Sequence, residues 1–70
     1  MSKKDLRAYW EAEAAKQRKW IAEHGGGRAG YVARYGAADD PDHYGSGGEA
    51  IYEADIAHLM ELEAKAKRYR

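Results

Sequence analysis

SKKDLRAYWEAEAAKQRKWIAEHGGG, residues 2–27, opens on a helix start and closes on a helix stop. Ser2-Lys3-Lys4-Asp5 has the S-x-x-D/E form in which a serine side chain caps backbone N–H groups and the acid reaches back. From Lys3 to His24 there is neither Gly nor Pro, and good helix formers dominate. Gly25-Gly26-Gly27 then ends the run, because glycine readily takes the left-handed backbone that follows a helix C-terminus. At about 100° per residue, Leu6, Tyr9, Trp10, Glu13, Ala14, Gln17, Trp20, Ile21 and His24 share one face. A helix is therefore expected over 3–24.

The same signature recurs at Ser46-Gly47-Gly48-Glu49, so a second helix is expected over 47–69. Its apolar stripe is Ile51, Tyr52, Ile56, Leu59, Leu62, Ala66 and Tyr69, with Asp55 inside it. Each helix is about 22 residues, or roughly 33 Å long. Equal lengths and a returning chain predict an all-α fold, an antiparallel helical hairpin, with residues 1–70 as one small domain. The connection is long for a structureless link. Tyr31 and Tyr35 at i,i+4, with Val32 beside them, predict a short helix at about 29–36, ended by Gly36. An acidic, turn-rich loop punctuated by Asp40-Pro41-Asp42 follows over 37–46. Trp20 and Leu62 are expected in the core, where truncation to Ala costs about 2–5 kcal/mol.

That core is lean. Of the 70 residues 44% are hydrophobic, but 14 of these 31 are Ala, six Tyr and two Trp, which leaves nine Val, Ile, Leu and Met. A domain of this size usually needs a staple beyond its own core. With no Cys, disulfides, thiolate metal sites and cysteine nucleophiles are excluded. Oligomerisation, a metal or a macromolecular partner remains. No apolar run reaches the roughly 18 residues of a membrane helix, and no signal-peptide core follows the charged start, so a cytoplasmic protein is expected.

The formal charge is zero, from 12 Lys+Arg and 12 Asp+Glu, yet the charges are sorted along the chain. Residues 1–34 hold eight bases and four acids, residues 35–64 hold eight acids and no base, and residues 65–70 hold four bases. An antiparallel hairpin brings the two basic blocks together. Lys3, Lys4, Arg7, Lys65, Lys67, Arg68 and Arg70, with Tyr9, Trp10 and Tyr69, are expected to form a basic, aromatic pole. Asp39, Asp40, Asp42 and Glu49 are expected at an acidic pole, with Tyr44 in the same loop. Part of this layout simply suits the helix dipoles, acids at N-termini and bases at C-termini. The rest is expected to serve docking. Ile56 and Met60 lie on a flank of the second helix, where either the Tyr31–Tyr35 segment covers them or a partner does.

No motif in the sequence carries catalysis. The loop beginning at Asp40 resembles a calcium loop at Asp40, Asp42 and Gly45, but Tyr44 and Ile51 occupy ligand positions. Glu13 with Asp55-x-x-His58 would match the di-iron bundle pattern only after dimerisation, and Asp is shorter than the usual Glu. Gly25, Gly27 and Gly30 spell G-x-G-x-x-G without a preceding strand, although Arg28 beside them would suit a phosphate. The three His and two Ser have no catalytic spacing. No enzyme activity and no cofactor are therefore expected.

The function expected is a protein-binding module: a regulator, inhibitor or adaptor of a larger protein. Small, cysteine-free helical chains of this kind are similar to the accessory proteins that phages and mobile elements encode to modulate host enzymes. A nucleic-acid binder using the basic pole is the less favoured alternative, since a net charge of zero lacks the usual basic footprint. A self-assembling four-helix-bundle homodimer, with or without metal, is the third.

Overall fold

Ser2 caps the first helix as its position requires, its Oγ accepting the Asp5 backbone N–H at 3.2 Å. The computed structural model describes residues 2–37 and 47–69, in which α1 spans Lys3–Glu23, α2 Arg28–Tyr35 and α3 Gly48–Lys67. Gly25 and Gly26, at φ of 144° and 80°, turn the chain out of α1. Gly36, at φ of 93°, ends α2. The hairpin and its short third helix are thus as expected, with helices of 21, 8 and 20 residues.

One end differs. The N-cap of α3 is Gly47, one residue later than the Ser46 box implies, and no side chain among the described residues caps this helix. Glu49 is instead drawn to Arg28 across the molecule. Ser46 itself lies outside the described residues.

α1 and α3 run antiparallel: Lys65 near the end of α3 lies over Trp10, and Gln17 reaches the backbone of Asp55. The result is a rod 50 × 19 × 14 Å. α2 packs on the first half of α3, near the end of α1. Among the described residues the buried apolar set is small: Ala14, Ile21, Tyr31, Leu62 and Ala66. Between α1 and α3 the core is partly alanine, which fills little volume but lets two helices approach closely.

Leu62 is core, as expected, and Trp20 is not. Trp20 is 50% exposed and Tyr9 49%, so the true buried stripe of α1 is narrower than the shared face suggests. It runs through Trp10, Ala14, Gln17 and Ile21, and the two other rings lie beside it. Trp20 stacks on His24 with ring centroids 3.7 Å apart, a local contact within one turn. Trp20→Ala is accordingly expected to cost about 1 kcal/mol or less, below the core range. Urea unfolding followed by far-UV circular dichroism checks this; a loss above about 2 kcal/mol would place the indole in the core after all.

Candidate protein-docking site

The terminal end of the rod carries part of the basic set that the hairpin was expected to gather. Lys3, Lys4 and Arg7 from the first turns of α1 meet Tyr69, just past α3, around an open cleft of about 510 Å³ that Ala8 and Glu11 complete. A second cleft of about 310 Å³ adjoins it and shares Glu11, its other walls being Ala14, Arg18, Glu63, Ala66 and Lys67. Together they form a trough along the α1–α3 seam. Its floor is alanine and its rim is charged.

The rim charges separate into paired and unpaired groups. Arg7 is bonded to Glu11 at 2.9 Å and Arg18 to Glu63 at 3.3 Å. Lys3, Lys4 and Lys67 form no ion pair with another described residue, nor does the exposed Arg68 on the turn after α3. The five bases and two acids on the rim therefore leave a local excess of three positive charges.

Lys65, Tyr9 and Trp10 belong to a different surface. The Lys65 ammonium sits 4.6 Å from the Trp10 ring centroid, a cation–π contact that occupies both, and Tyr9 meets Trp10 edge-on at 4.9 Å. None of the three lines either cleft. The expected single pole is two surfaces, because residues 65 and 67 lie about 200° apart around α3.

At the other end, Glu49 is not a free acidic group. Arg28 binds Glu49 at 2.7 Å and Glu53 at 2.9 Å. These bonds, with Glu53 the stronger influence, raise the guanidinium's pKa above its ordinary value. Arg28 is thereby committed to α3 rather than presented to a phosphate at the glycine turn. Asp39, Asp40, Asp42 and Tyr44, like Arg70, lie outside the described residues. Met60 is 64% exposed, so α2 does not cover it, whereas Ile56 is half-buried.

Asp55 has a structural employment. Its carboxylate accepts the Tyr31 hydroxyl at 2.7 Å, and its backbone carbonyl accepts Gln17 Nε2 at 2.9 Å. Among the described residues no three His, Asp or Glu side chains converge as a metal site would need.

Six lining residues were not foreseen: Ala8, Glu11, Ala14, Arg18, Glu63 and Ala66. A signal for half of them is present in the sequence. Lys4, Glu11 and Arg18 repeat at seven-residue spacing, as do Arg7 and Ala14, which is the seam of a helix facing neighbours on two sides. Comparisons with protein-family models, curated proteins and solved structures found no match to this chain.

Proposed function

We propose that this chain is a non-enzymatic protein-binding module that docks on a larger protein, as a regulator, inhibitor or adaptor, through the trough at its terminal end. One observation carries the reading: the trough is open, and Lys3, Lys4 and Lys67 on its rim have no ionic partner among the described residues. Unpaired cations around an apolar floor suit a surface that gains from electrostatic steering and from burial together. The lean core of the isolated chain adds a reason to expect a partner.

The test is capture from a lysate of the native host, with the tagged wild type beside the triple reversal Lys3→Glu, Lys4→Glu, Lys67→Glu. All three side chains are exposed, so the reversal is expected to leave the circular dichroism spectrum unchanged. A defined protein recovered with the wild type and lost with the reversal is the expected result. Equal recovery by both would move the interface away from the trough. Capture abolished by nuclease, and weakening steeply from 50 to 200 mM salt, would make nucleic acid the partner instead.

A further inference from the structure

On α3, Gly48, Tyr52, Leu59, Glu63 and Ala66 fall within about 60° of one another around the helix axis. They form one stripe with two fates. Its first half is covered: Gly48 abuts the backbone of Tyr31, and Tyr52 meets the Tyr31 ring edge-on at 5.2 Å, both through α2. Its second half, Glu63 and Ala66, borders the trough. α2 is only eight residues long and leaves the lower part of the α1–α3 seam bare.

We infer that this lower half of the seam receives an acidic amphipathic helix from the partner, which continues the third-helix position that α2 occupies above it. The inference rests on the protein-binding reading. From Lys3 to Arg18 the trough follows α1 for roughly 22 Å, the length of about four helical turns. Its floor, Ala14 and Ala66, with Ala8 at the outer edge, projects so little that a helix can lie close and set Leu- or Ala-sized side chains between the two ridges. The acidic flank follows from charge: five bases against two acids on the rim, with the acids already held by Arg7 and Arg18.

Other occupants fit less well. A second copy placing its own trough there would set three excess positive charges against three. A nucleic acid would bring phosphates against Glu11 and Glu63 and would find a single lining ring, Tyr69, to stack on.

The probe is a fluorescein-tagged 15-residue helix-forming peptide with Leu and Ala on one stripe and Glu on both flanks, titrated by anisotropy at low salt. Saturable binding is expected, at least tenfold tighter than for the same peptide with Lys in place of Glu, for a scramble that keeps the composition but breaks the stripe, and for a 15-nucleotide oligo-dT. Ala8→Trp fills the cleft from an exposed position and is expected to weaken binding at least tenfold, whereas Ala54→Trp, exposed on α3 and lining neither cleft, leaves it unchanged. Equal affinity for the scramble, tighter binding of the oligonucleotide, or no binding of the Glu peptide overturns the inference. So does a dimer in sedimentation equilibrium that Ala8→Trp dissociates, since a second copy would then be the occupant. If a host protein is lost on charge reversal yet held by Ala8→Trp, the helix-in-trough inference fails and the docking function stands.

Discussion

Tyr31→Ala is expected to leave the chain largely unfolded at 25 °C. Among the described residues Tyr31 is the one large side chain with no exposure at all, enclosed where the end of α1, α2 and α3 meet. Its ring packs against Tyr52 and Tyr35, at centroid distances of 5.2 and 5.7 Å. Truncating a buried aromatic costs about 3–5 kcal/mol. That matches all the stability, about 3–5 kcal/mol, that a core of this size usually provides. The helical signal at 222 nm should collapse, or the urea midpoint fall close to zero. A variant that keeps a cooperative transition near the wild-type midpoint would show that α2 is not part of the folding unit.

Tyr31→Phe separates the ring from the hydroxyl. It keeps the packing and deprives the half-buried Asp55 carboxylate of its donor, at an expected cost of about 1–3 kcal/mol. The phenol also sets a pH dependence. Burial first, and then the hydrogen bond and charge of Asp55, push its pKa well above the ordinary tyrosine value. The folded state thus favours the neutral phenol more than the unfolded chain does. Its contribution is complete below about pH 10, the pKa of a free tyrosine, and declines as pH rises from there towards the raised folded value. Urea midpoints followed from about pH 8 to 11 should fall more steeply at the alkaline end for the wild type than for Tyr31→Phe. Parallel curves would mean that the hydroxyl is not buried against the carboxylate.

Gly48→Ala is the second large effect, expected at about 3 kcal/mol or more, the upper end of the overpacking range. A Cβ at Gly48 would fall on the Tyr31 carbonyl and 2.6 Å from the Val32 nitrogen. These are backbone atoms of α2, so no rotamer change relieves the clash and the two helices must part. Their separation would also strain the 2.8 Å bond from the Gly48 N–H to the Gly36 carbonyl. Gly27→Ala is the matched control: Gly27 has extended backbone and nothing within 4 Å of an added Cβ. It should cost a few tenths of a kcal/mol up to about 1, the usual difference between Gly and Ala at an N-cap. Both variants can be read from the same urea titrations. Equal, small losses would remove the backbone contact between α2 and α3.

The role of Gly48 was not legible in the sequence, where the two glycines before Glu49 read as part of a capping box. Their composition marks a helix start, but only the crossing of α2 over α3 makes one of them a contact point. Arg28 is similar. Beside three glycines it would suit a phosphate at a flexible connection, and it is Glu49 and Glu53, more than 20 positions away, that claim it. Trp20 shows the converse error. Its position on the shared face was correct in angle, but a seam between two helices is narrower than the arc over which apolar residues recur, so the indole sits beside it.

The sequence alone determined the helices, their stops and their pairing. Capping at Ser2, the break at Gly25–Gly27, the turn at Gly36 and a period of about 3.6 residues act within a few residues of each other, and local chemistry is readable locally. It also sorted the charge, because matching block order with an antiparallel return needs only topology. Tertiary structure alone decided which bases remain unpaired. Arg7 pairs locally with Glu11 at i,i+4, but Arg18 finds Glu63 across the seam, Lys65 finds the Trp10 ring, and Lys3, Lys4 and Lys67 are left around the trough. Those outcomes depend on rotation about each helix axis and on where an eight-residue helix happens to end, distances that no linear pattern contains.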